Sequence, residues 1–67
     1  MLLTAIIHQE EDWFVAECPE IGTCSQGKTI EEAIANLQEA TEVYLEEFPQ
    51  DAPSRPVLAT FEVPAHA

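Results

Sequence analysis

The sequence predicts an α+β fold, a small β-β-β-α-β domain with an antiparallel-rich sheet and one helix packed on one of its faces. Three observations predict it. Two β-forming runs, "LLTAIIHQ" and "WFVAEC", lie a short polar break apart, the spacing of a hairpin. The motif "TIEE" opens a long stretch whose apolar residues recur at the helical period. A last β-forming run, "VLATFEV", follows a proline-rich connector.

In the first run, Leu3, Ala5 and Ile7 alternate with Leu2, Thr4, Ile6 and His8, so both faces carry apolar residues. In the second, Trp13, Val15 and Glu17 oppose Phe14, Ala16 and Cys18. Pro19 ends that strand, because proline donates nothing to a ladder. A short third strand fits residues 23–26, between Gly22 and Gly27, two glycines that suit tight turns. Thr29 and Glu32 form a capping box, with the Thr29 hydroxyl on the Glu32 N–H and the Glu32 carboxylate reaching back to the Thr29 N–H. The helix is expected from about Ile30 to Glu47. Its apolar stripe is Ile30, Ala33, Ile34, Leu37, Thr41, Tyr44, Leu45 and Phe48. The other side carries Glu31, Glu39, Glu42 and Glu46 with no base, and Val43 sits among these acids. Pro49 stops the helix. In the final run, Val57, Ala59, Phe61 and Val63 share a face.

The 67 residues hold one domain, 1–67. Chains of this size bury only roughly 60% of the surface that their unfolded form exposes, and association is a common remedy. One helix covers one face of the sheet, so the apolar residues on the other face predict a homodimer or higher oligomer. Thirteen acids face two bases, a net charge of −11. Direct nucleic-acid binding by this chain alone is excluded on that ground, and a basic protein partner is favoured. The N-terminus lacks the basic region of a signal peptide, and no stretch approaches the roughly 20 apolar residues of a membrane span. The expected compartment is the cytoplasm, where Cys18 and Cys24 stay reduced.

Three constellations invite chemistry and each falls short. "GTCSQGKT", residues 22–29, matches the phosphate-loop pattern. It lacks the hydrophobic parallel strand before the first glycine, and Glu31 and Glu32 put negative charge on the helix end meant for phosphate. Lys28 is then a coincidence of the pattern. His8, Cys18, Cys24 and His66 have the wrong spacing for a zinc knuckle. Glu10, Glu11 and Asp12 are neighbours in a hairpin break, whereas metal-dependent nuclease sites gather carboxylates from several elements. No cofactor, metal or catalysis is expected.

The run "FVAECPEIGTCSQGKTIEEAIANLQEATEVYLEE" resembles the HicB-like antitoxin domain. The shared pattern is the segment Phe14, Val15, Ala16 and Glu17, then Pro19, Glu20, Gly22 and Gly27. It continues with Thr29, Glu31, Glu32 and Ala33, and with Asn36, Leu37, Glu39 and Ala40. The resemblance implies a partial RNase H-like fold without the catalytic acids. It implies a type II toxin–antitoxin function, the neutralisation of a small basic HicA-type mRNA interferase by binding. Two surfaces then suit the toxin: Glu10, Glu11 and Asp12 at the hairpin break, and Glu39, Glu42, Val43 and Glu46 on the helix. Pro19, Gly22, Gly27, Thr29 and Glu32 are the structural motif. Many relatives continue into a DNA-binding segment; no C-terminal DNA-binding domain is expected here, nor operon repression by this chain alone. The alternative is a stand-alone homo-oligomeric acidic domain of the same fold with another protein partner.

Overall fold

The computed structural model describes residues 1–51 and 56–65. Three antiparallel strands, β1 (Ile6–Glu10), β2 (Trp13–Cys18) and β3 (Thr23–Gly27), form a sheet in the order β1-β2-β3. A single helix, α1 (Ile30–Glu47), follows. The register sets Ile7, Ala16 and Ser25 in one row across the sheet, with Cys18 beside Thr23 and Phe14 beside Gly27. These residues face α1. Ile6, His8 and Glu10, with Trp13, Val15, Glu17, Cys24 and Gln26, make up the opposite, uncovered face.

The helix runs back along β3. Asn36 Nδ2 donates to the Gln26 carbonyl at 2.8 Å, and the Thr23 and Thr41 hydroxyls share a hydrogen bond of 2.7 Å. That bond lets a threonine occupy the apolar stripe, because its hydroxyl keeps a partner when buried. The core is Ala16, Cys18, Ala33 and Leu37, with Leu3, Ala5, Ile7, Phe14 and Ile21 packed around it. Among the described residues no large side chain is completely buried.

Both ends of α1 fall where the periodicity puts them. Thr29 takes an extended backbone and its hydroxyl accepts from Glu32 N–H at 3.0 Å. The return arm of the capping box differs: the Glu32 carboxylate accepts from Lys28 N–H at 3.2 Å, one residue before the position expected. The stripe is also narrower than expected. Only Ala33, Leu37 and Thr41 are buried, while Ile30, Ile34, Tyr44 and Phe48 keep 36–59% of their surface exposed. Length explains much of this. A helix of 18 residues spans about 27 Å, and a five-residue strand about 17 Å, so the helix overhangs its sheet. Tyr44 and Phe48 pack on each other there, ring centroids 5.0 Å apart.

Two expected strands change. The first begins at Ile6 rather than Leu2, because the Thr4 N–H is drawn out of the ladder by the Glu20 carboxylate, at 3.0 and 3.2 Å. Residues 57–63 form no strand: among the described residues they pair with nothing, and Val57 and Phe61 are 92% and 87% exposed. Among the described residues the α+β architecture therefore consists of three strands and a helix. Part of the proline-rich connector, residues 52–55, and His66 lie outside the described residues. Among the described residues no helix is long and apolar enough to cross a membrane.

Candidate functional site

The candidate acids form two separate surfaces. Glu10 closes β1 opposite Trp13, and Glu11 and Asp12 make the turn between them. Glu11 adopts a left-handed φ of 54°, a conformation that glycine accepts far more readily than glutamate. All three acids are exposed. The turn lies at the sheet end where Phe14 meets Gly27, beside the entrance of α1.

The second surface is the back of α1. At about 100° per residue, Glu39, Glu42, Val43 and Glu46 fall within about 100° of arc, opposite the buried Ala33, Leu37 and Thr41. All four are exposed, with Val43 at 55%. Glu42 also accepts from the Gln38 side chain at 3.2 Å. No base stands in the last turn of the helix. The strip is therefore an uncompensated anionic ridge around one apolar side chain. It lies on the later half of α1, about 20 Å along the axis from the helix entrance beside the hairpin turn. The fold does not bring the two acid groups together.

The glycines and threonine of the structural motif have distinct duties. Gly22 has a φ of +91°, and its N–H returns to the Cys18 carbonyl at 2.8 Å, closing the turn after Pro19. Gly27 is needed for a different reason: a Cβ there would lie 2.6 Å from Ala33 N and 2.9 Å from two atoms of Glu32. The strand reaches the helix entrance only because residue 27 has no side chain. Thr29 is occupied as the cap. Lys28, which the pattern alone makes a coincidence, has a packing role: its ammonium sits 4.0 Å from the centre of the Trp13 ring. The residues of the phosphate-loop pattern thus have partners within the fold.

The sequence gives no hint of Glu20 as a clasp. Its carboxylate accepts from Thr4 N–H, from the Thr4 hydroxyl at 2.6 Å and from the Cys18 thiol at 3.6 Å. These bonds, the Thr4 hydroxyl foremost, hold the Glu20 pKa below its ordinary value. The clasp ties the N-terminal segment to the turn after β2. Between that segment and α1 opens a groove of about 410 Å³, whose apolar walls include Leu2, Leu3, Ala5, Leu37 and Leu45. Cys18 is buried on the helix side and Cys24 is exposed on the other, so the two thiols face away from each other. Among the described residues no three His, Cys, Asp or Glu side chains cluster as a metal site.

Comparison with known proteins gives two relatives. The chain is 42% identical over 52 residues to a UPF0150 protein of Helicobacter pylori, a match covering 76% of this chain and 72% of the relative. It is 35% identical over 69 residues to a UPF0150 protein of Thermoplasma acidophilum, covering all of both chains. No family model matches the chain, and no solved structure does.

Proposed function

From its membership of the UPF0150 family, we propose that this chain is a binding module, a HicB-like antitoxin domain that neutralises a small basic HicA-type mRNA interferase in the cytoplasm. The observation that carries the reading is the ridge on α1: Glu39, Glu42 and Glu46 around the exposed Val43, on the face that the fold itself does not use. Glu46 stands in the last turn of the helix, where a carboxylate opposes the dipole, so its charge there costs the helix rather than supporting it. An RNA-cleaving partner must present cations to phosphate, and the same cations suit this ridge. Val43 supplies an apolar centre that a rim of charge surrounds, the common layout of a protein interface. The hairpin turn is the second contact. Glu11 keeps an acid where glycine would strain the backbone less, and such strain gathers at functional positions.

Inhibition in this reading needs no chemistry. The module covers the cationic surface of its partner and excludes RNA from it by charge and bulk. A net charge of −11 on 67 residues speeds the encounter, and added salt slows it. The test is co-expression with a small basic HicA-type protein encoded beside this chain. The wild-type chain is expected to restore growth and to co-purify with the toxin. A Glu39→Lys, Glu42→Lys, Glu46→Lys variant is expected to lose both while keeping its far-UV circular dichroism. A toxin that stays active and fails to co-purify with the wild-type chain refutes the reading.

A further inference from the structure

We propose that residues 57–63 of one copy add as a fourth strand to the free edge of β1 in a second copy, so that the chain is a tail-exchanged homodimer. The proposal does not depend on the identity of any toxin.

A compact monomer of 7.4 kDa exposes about 4,200 Å² by the usual scaling, whereas this chain exposes 5542 Å². The excess is about 1,300 Å², more than the roughly 800 Å² that each partner contributes to a standard interface. The radius of gyration is 13.9 Å, against about 11 Å for a compact domain of this length, and the long axis is 47 Å. The tail contributes to both excesses. Val57, Leu58, Phe61 and Val63 are 68–92% exposed.

The tail is built as a strand that lacks a sheet. Val57, Ala59, Phe61 and Val63 alternate with Leu58, Thr60 and Glu62, so an added strand would present one apolar face. The sheet has two edges. On the β3 side the helix packs closely, and it reaches less far over β2 and least over β1. The apolar groove lies on the β1 side, floored by Leu3 and Ala5, which lead into that strand, and walled by Leu37 and Leu45. A strand along β1 would satisfy that edge and lower its four-residue apolar face towards the groove. The core that this would extend is thin, with no large side chain completely buried among the described residues.

Charge selects the segment. Two chains of −11 repel, and residues 57–63 carry one acid, so contact through the tail brings few acids together, Glu62 of the tail and Glu42 at the rim of the groove. Reciprocal exchange gives a closed two-fold assembly, in which each copy both gives and receives a strand.

Salt separates this proposal from the toxin reading. Screening weakens a bond to a basic partner but relieves repulsion between like chains, so the dimer tightens as salt rises from about 0.05 to 0.5 M. Sedimentation equilibrium of the full chain at tens of micromolar is expected to give two chains per particle. Phe61→Asp, at a site outside the packed body, is expected to give one chain per particle with unchanged circular dichroism. In a mixed sample of differently isotope-labelled chains, nuclear Overhauser contacts from Phe61 to Ile7 are expected between copies. A monomeric wild type overturns the proposal, as does a dimer that survives Phe61→Asp. Contacts from Phe61 to Ile7 only within one chain, the tail folding onto its own body, overturn it equally.

Discussion

Replacing Gly27 by alanine tests how the strand meets the helix. The new Cβ would stand 2.6 Å from Ala33 N and 2.9 Å from Glu32 C and Cβ. Two of these three atoms are backbone, so no rotamer change relieves the overlap. The first turn of α1 must move away from β3, and the Lys28–Glu32 and Asn36–Gln26 bonds stretch with it. Overpacking of this kind costs about 1–3 kcal/mol. A chain of 67 residues has a total stability of about 3–10 kcal/mol, so the substitution removes a large share. Each kcal/mol lowers the melting temperature of a domain this size by about 4–8 °C, which predicts a fall of roughly 8–16 °C for a cost in the middle of that range. Calorimetry reads it directly. Gly22→Ala is the control: nothing lies within 4 Å of its added Cβ, and only the φ of +91° resists the side chain. Its cost is about 1–2 kcal/mol of backbone strain. A Gly27→Ala protein that melts within about 2 °C of the wild type would show that the entrance of α1 is not closely packed, and the reasoning would fail.

Three further outcomes are expected. Thr29→Ala removes the hydroxyl that accepts from Glu32 N–H and lowers stability by about 1 kcal/mol, read by urea denaturation. Glu11→Gly relieves the left-handed backbone at the hairpin turn and raises stability by about 1 kcal/mol, read by urea denaturation, while titration calorimetry is expected to show weaker binding to the basic partner. Because the clasp lowers the folded pKa of Glu20, its stabilisation is complete above the usual glutamate range and is lost as pH falls through the folded value. Glu20→Gln is therefore expected to be less stable than the wild type at neutral pH and to converge with it in acid, when urea midpoints are compared from about pH 7 to pH 2.

What the sequence made legible follows from how local each determinant is. The helix obeyed its own cap and periodicity from Ile30 to Glu47, because capping and amphipathicity act within a few residues. The β1–β2 pairing was equally local, a hairpin with a two-residue turn. The start of β1 was not, since it depends on a carboxylate far along the chain that captures Thr4. Residues 57–63 have a strand's alternation, but a strand also needs a neighbour, and periodicity says nothing about where that neighbour comes from. The candidate acids were legible as residues but not as an arrangement. Only the course of α1 along β3 shows that the turn and the ridge are separate surfaces. Lys28 was hidden because its partner, Trp13, lies across the sheet from it.

The placement of the two cysteines gives the molecule an internal clock. Cys24 lies open on the bare face, while Cys18 is sealed at 2% exposure beneath the helix. A thiol reagent should mark the first at once and the second only when α1 or the Glu20 clasp beside it opens. The ratio of the two labelling rates reports how often Cys18 is uncovered, with no residue changed.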